Sequence, residues 1–134
     1  MSALSKLNEA RKQFHASKLE KTGFNKFAGY KYFELSDFLV PALKIFEGLK
    51  LSSVVSFGIE LATMTITDLE DGTSVCITSP MSNASLKACH EVQNLGAVQT
   101  YIRRYLWVTA LEIVEHDAID SSEGAEPKRE EQKP

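Results

Sequence analysis

The stretch NLGAVQTYIRRYLW, residues 94–107, decides how this chain is read. It has the composition of a helix, yet it sets Arg103 and Arg104 among Tyr101, Tyr105 and Trp107. At about 100° per residue, Leu95, Val98, Ile102, Tyr105, Leu106, Thr109 and Ile113 share one arc. That is an apolar stripe expected to face a sheet. The opposite arc holds Gln93, Gly96, Thr100, Arg103, Arg104, Trp107 and Leu111, and Tyr101 lies at the border. A solvated face normally carries Glu and Lys, and nothing as costly to expose as tryptophan. Gly96 costs about 1 kcal/mol relative to alanine inside a helix, which predicts a close approach to its backbone. Two readings fit this face. It packs on another element or subunit, with its arginines paired to carboxylates. Or it lines a groove for a polyanion, with guanidinium forks on phosphates and rings on bases.

Working outward, the helix is expected over 89–112. Before it, residues 61–69 alternate strictly: Ala62, Met64 and Ile66 against Thr63, Thr65 and Thr67. A period of two is a half-buried strand. Residues 51–60 supply a strand on one side, in which Val55, Phe57 and Ile59 share a face. Residues 73–80 supply one on the other, joined through a loop with Gly72 at a position suited to positive φ and stopped by Pro80. Upstream, 3–20 reads as a helix ended by Gly23. Residues 23–37 read as an aromatic-rich hairpin or ordered loop turning at Ala28-Gly29. A second helix is expected at 37–49, capped by Ser36-Asp37, with Pro41 near its first turn and Gly48 at its end. Residues 81–88 read as a connection. The fold class is therefore α+β: a three-stranded antiparallel meander on a long helix, preceded by N-terminal helices. Residues 1–114 are expected to form one domain. Residues 115–134 hold too few large apolar side chains to order themselves and are expected to be an acidic, disordered tail.

Composition narrows the function classes. A chain of 134 residues with 43% apolar and 25% charged side chains can bury a core without disulfides or metals. No apolar run is long enough for a membrane span, and the N-terminus lacks a signal core. Cys76 and Cys89 match no metal or redox spacing and read as free thiols. No GxxxxGK[ST] loop is present, which argues against an ATP-driven strand exchanger. No paired carboxylates stand at metal-binding spacing in the expected folded part, which argues against a nuclease. The formal net charge of −3 hides an asymmetry. Residues 1–31 carry Lys6, Arg11, Lys12, Lys18, Lys21, Lys26 and Lys31 against Glu9 and Glu20. A basic front suggests a polyanion partner, or else a solvated surface.

Several motifs together resemble the ERF (essential recombination function) family of bacteriophage single-strand annealing proteins. Gly96 to Tyr105, GAVQTYIRRY, is similar to the family's G-[SA]-x-x-T-Y-x-[RK]-R-Y. Tyr30, Tyr32, Leu35 and Asp37 resemble its Y-x-Y-x-x-L-x-D segment. Pro41 and Gly48-Leu49 stand where the family has a helix, and the strand–Asp71-Gly72–strand unit and Gln93 also fit. The resemblance spans about 24–114. It departs after the long helix, where only EHDAID stands for a more acidic segment, and at Trp107, where a smaller residue is usual.

The resemblance implies a non-enzymatic, ATP-independent protein that binds single-stranded DNA and anneals complementary strands through a duplex intermediate. It implies a β-β-β-α core and a homo-oligomer in a ring or helical filament. It places the protein in the cytoplasm of a bacterial host, with a single-stranded-DNA-binding protein as a further partner; no cofactor and no metal-ligating residues are expected. Phosphates would fall to Arg103, Arg104, Lys26 and Lys31. Tyr30, Tyr32 and Tyr101 would stack on bases, and Gln93 and Thr100 would donate to phosphate oxygens. Structural roles stand beside these. Tyr105 is expected in the core, Tyr101 could sit at a subunit interface, and Arg104 could be a buried ion-pair partner. The alternative function is a protein-interaction module that binds no DNA.

Overall fold

The computed structural model describes residues 1–81 and 91–115, with side chains described from residue 94 onward in the second segment. The expected connection at 82–88, Cys89 and the expected tail from 116 lie outside the described residues. The element order is α1 (Ala3–Ala16), β1 (Gly23–Asn25), β2 (Tyr30–Tyr32), α2 (Leu35–Leu49), β3 (Leu51–Phe57), β4 (Leu61–Asp68), β5 (Ser74–Pro80) and α3 (Glu91–Leu111). The chain is thus a mixed α+β protein with an antiparallel meander β3-β4-β5 and a separate β1-β2 hairpin. No helix among the described residues is long and apolar enough to cross a membrane.

The alternation in β4 does what a period of two requires. Ala62, Met64, Ile66 and Asp68 are buried on one face. Thr63, Thr65 and Thr67 stand on the other, opposite Ser56, Val54 and Ser52 of β3 and Thr78, Cys76 and Ser74 of β5. All three helices pack against the meander, and its buried face is their common floor. β3 stops at Phe57 rather than running to 60. Gly58 turns the chain, its N–H bonded to Leu61 O at 2.8 Å, and a Cβ there would meet that oxygen at 2.9 Å. Ile59 therefore leaves the face it was expected to share with Val55 and Phe57, and is 97% exposed.

The helix ends differ from the expectations for local reasons. α1 stops at Ala16, where Ser17 turns extended and its N–H closes on the carbonyls of Gln13 and Phe14. Gly23 is not its terminator. α2 begins at Leu35, with Glu34 as N-cap, and Asp37 Oδ2 accepts the Glu34 N–H at 2.9 Å. Pro41 therefore sits in the second turn. α2 also runs through Gly48, and Lys50 takes the left-handed cap at φ 58°. α3 ends where Arg11 Nε donates to Ala110 O at 2.8 Å and His15 Nε2 meets Leu111 O at 3.0 Å. A guanidinium at a helix C-terminus satisfies a carbonyl left without an intrahelical partner.

The rotation of α3 corrects the sequence reading most. Ile102, Leu106, Trp107, Ala110 and Leu111 are all buried. Trp107 lies against Phe46, with ring centroids 5.1 Å apart. Thr109 and Tyr105, expected to face the sheet, are exposed, and so is Leu95. Large apolar area decides this. Trp107 and Leu111 stand to gain more from burial than Tyr105 and Thr109, so the helix rolls to take them in. Trp107→Ala is expected to cost about 3–5 kcal/mol, whereas Tyr101→Ala on the exposed side should cost less than about 1 kcal/mol. Urea unfolding of both variants checks the contrast.

One charged pair, Lys6 and Asp68, is buried with the core. Lys6 Nζ bonds Asp68 Oδ1 at 2.7 Å and Glu70 Oε1 at 2.6 Å. Lys6 holds the carboxyls of Asp68 and Glu70 below their usual range, for Asp68 against the opposing effect of burial. The two carboxylates, Asp68 first, raise the Lys6 ammonium above its usual value. The depressed carboxyls contribute stability above the usual carboxylate range, which is lost as pH falls through their folded values. The raised ammonium contributes until pH climbs beyond its ordinary range. Lys6→Met strands the buried Asp68 carboxylate. Its Tm should fall below the native value at neutral pH, and the gap should narrow on acidification, as calorimetry across pH would show.

Candidate nucleic-acid interface

The β1-β2 hairpin is built by short-range chemistry. Asn25 Oδ1 accepts the N–H groups of Phe27 and Ala28 at 2.9 and 3.0 Å, an Asx turn. Gly29, at φ 73°, bonds back to Asn25 O at 2.8 Å. Gly23 pairs with Tyr32 across the hairpin, and the Tyr32 ring lies over it. The turn leaves Phe27 fully exposed and Phe24 55% exposed. At the foot of the hairpin, the Thr22 N–H and hydroxyl bond Asp37 at 2.9 and 2.8 Å. Burial alone would raise the Asp37 carboxyl, but these bonds and the Glu34 N–H hold it below its usual value.

Between this hairpin and α3 lies an open groove of about 990 Å³. Phe24, Lys26, Phe27, Tyr30 and Tyr32 line the hairpin side. Thr100, Tyr101, Arg104, Tyr105 and Val108 line the α3 side, and Glu115, past the end of α3, lines it too. Arg104 joins the two sides. Its guanidinium lies over the rings of Tyr32 and Tyr105, 5.3 and 5.4 Å from their centroids. Its Nε donates to Phe33 O at 2.7 Å, and its Nη2 pairs with Glu115 Oε2. Tyr101 and Tyr105 meet edge-on with hydroxyls 3.1 Å apart. That bond, then burial, pushes the Tyr105 phenol up to about 12. The neighbouring Glu34 carboxylate, then burial, raises Tyr32. Both phenols stay neutral at neutral pH, so the groove offers uncharged rings beside cations.

The predicted residues part company here. Lys26, Tyr30, Tyr32, Thr100, Tyr101 and Arg104 are brought together in the groove. Arg103 is not. Adjacent residues on a helix diverge by about 100°, and its guanidinium lies over Phe57 of β3, 5.4 Å from the ring centroid. Lys31 is exposed and does not line the groove. The Gln93 side chain lies outside the described residues. Tyr105, expected in the core, is a groove residue instead, 41% exposed. Nothing described comes within 4 Å of where a Gly96 Cβ would be, so the expected close approach is not seen; the glycine borders the groove.

The basic front is also partly spent on internal bonds. Lys6 is in the buried pair, Arg11 holds the end of α3, and Lys21 reaches Glu115 Oε1 at 3.4 Å. Sequence reasoning missed Phe24 and Phe27, although aromatics flanking Lys26 in a turn were a usable signal. It missed the Glu115 contact as well, which no local pattern announces.

A family model described as ERF superfamily matches residues 4–134, essentially the whole chain. The chain belongs to that family. The match extends well beyond the 24–114 covered by the motifs. ERF membership sets the groove in a family of phage recombination proteins, whose expected partners are DNA-related. No curated protein and no solved structure matches the chain.

The groove wall depends on Gly23. A Cβ there would stand 2.4 Å from Tyr32 Cε2, and the Arg104 guanidinium also lies over that ring. Gly23→Ala is expected to cost about 1–3 kcal/mol. It should also change the near-ultraviolet circular dichroism of the tyrosines as the ring leaves its seat. An unchanged spectrum and Tm would show that the hairpin is not fixed by this contact.

Proposed function

We infer that this ERF protein binds single-stranded DNA in the groove between the β1-β2 hairpin and α3, and anneals complementary strands without ATP during phage recombination. The observation that carries the reading is the groove wall. Exposed rings of Phe27 and Tyr101 and the half-buried ring of Tyr30 stand beside Lys26, Thr100 and Arg104. Single strands are held by this combination, stacking on rings and neutralising phosphates along the backbone. Annealing needs no bond to be made or broken in the DNA backbone. It needs bases held unpaired and reachable while a second strand is brought alongside. Repetition of the groove around a ring or along a filament of identical chains would convert weak sites into a continuous track through effective concentration. Lys31, exposed, and Arg103, over Phe57, lie outside the groove and in this reading meet the second strand. A host single-stranded-DNA-binding protein fits as the source of the covered strands.

The test is binding of a fluorescent poly-dT oligonucleotide over a range of salt, followed by an annealing assay. Native affinity should fall steeply with salt. Lys26→Ala should lower the slope of log K against log[salt] by about 0.7, one single-strand phosphate contact. Tyr101→Ala should weaken binding about tenfold, one stacked base, with the slope unchanged. A native chain that ignores the oligonucleotide at low salt overturns this reading. The exposed rings would then be a docking surface for a protein, with little salt dependence.

A further inference from the structure

The Glu115 carboxylate is held by more donors than a simple ion pair needs. Arg104 Nη2 pairs with Oε2. The Phe33 amide N–H points at both oxygens, 3.3 Å from Oε1 and 3.2 Å from Oε2. Lys21 Nζ stands 3.4 Å from Oε1. These donors come from α3, from the residue after β2 and from the segment between α1 and β1. Each is positioned independently of Glu115: Arg104 by Phe33 O and two rings, Lys21 by the Phe33 ring beneath it. The Arg104 and Glu115 side chains are only 13% and 11% exposed, yet both line the groove.

We propose that this cluster is a built site for a backbone phosphate of single-stranded nucleic acid, which Glu115 occupies until a strand enters the groove. The inference rests on the DNA-binding reading and specifies how one subsite is regulated. A phosphodiester and a carboxylate carry the same charge and present paired acceptor oxygens to a guanidinium. A guanidinium, an ammonium and a backbone N–H converging on one point is the donor set of a phosphate site. Glu115 is also the removable member. It lies past the end of α3, after an exposed Val114, so withdrawing it breaks no helical hydrogen bond. The sequence that follows adds six acids against three bases, so the segment as a whole is repelled by an arriving strand. Arg104 would then serve twice, as the link between hairpin and helix and as a phosphate ligand.

The test uses the full chain, with poly-dT and inorganic phosphate as probes. Glu115→Gln keeps the shape and the acceptor oxygen while removing the competing charge. The variant should bind poly-dT about fivefold tighter than native at the same salt, the worth of one partly exposed ion pair. Inorganic phosphate should raise its Tm more than it raises the native Tm, against chloride at matched ionic strength. If native and variant bind poly-dT equally, and phosphate stabilises both alike, Glu115 is a structural partner of Arg104 and the proposal fails while the DNA-binding reading stands. If neither binds poly-dT, both fall, even if phosphate still stabilises the variant. Lys21→Gln gives a second arm should Glu115→Gln unfold. It removes one donor and leaves Arg104 in place, and should weaken poly-dT binding about twofold. Unchanged binding by a folded Lys21→Gln protein overturns the proposal.

Discussion

Burial of Trp107 against Phe46 is the constraint from which the rest of the molecule follows. A tryptophan near the C-terminal half of α3 sets the roll of the whole helix, because no other side chain there has as much apolar area to lose from water. Once Trp107, Leu111 and Leu106 are inside, the geometry of 3.6 residues per turn turns Tyr101, Arg104 and Val108 toward the hairpin. Arg103 is carried to the other side, over Phe57. The groove is thus a consequence of core formation rather than a feature added to it. Within GAVQTYIRRY, Ile102 faces the core, Tyr101 and Tyr105 are exposed to the groove, and Arg104 lines it.

Arg104 is the polar counterpart of that constraint. It is fixed by a backbone carbonyl, two aromatic rings and a carboxylate, contributed by the hairpin, its own helix and the segment after it. A lysine could not make the same set, because a planar guanidinium both stacks and donates in its plane. Arg104 is paired to a carboxylate, as one reading of the sequence expected, and it also lines the groove. That double duty links the stability of the hairpin to the charge of the groove. It also explains why the groove, as it stands, presents less positive charge than the basic residues of the sequence suggest.

The N-terminal segment, α1 and the stretch before β1, shows the same economy. Lys6, Arg11 and Lys21 look like one basic surface when counted along the chain. In the fold, Lys6 neutralises a buried aspartate at the end of β4, Arg11 satisfies a carbonyl at the end of α3, and Lys21 supports Glu115. No partner is seen among the described residues for Lys12, Lys18, Lys26 and Lys31. Of those four, only Lys26 lines the groove. A count of charges along a chain says nothing of which ones meet an internal partner, because those partners lie 62 to 99 residues away.

What the sequence determined alone is what local rules govern. The period of two in β4, the turn at Ala28-Gly29, the Gly72 loop and the existence of three helices follow from steric preferences and spacing within a few residues. The order of the motifs was enough to indicate the family. Element ends were less legible: the extended Ser17 ended α1 before Gly23, and α2 ran past Gly48 to a left-handed Lys50. Only the tertiary structure decided the roll of α3, and with it which of two adjacent arginines enters the groove. An arc of apolar residues on a helix allows several rolls of similar hydrophobicity. The choice between them is made by the volume of the partner surface, here Phe46 and the buried face of the meander, which no window along α3 contains.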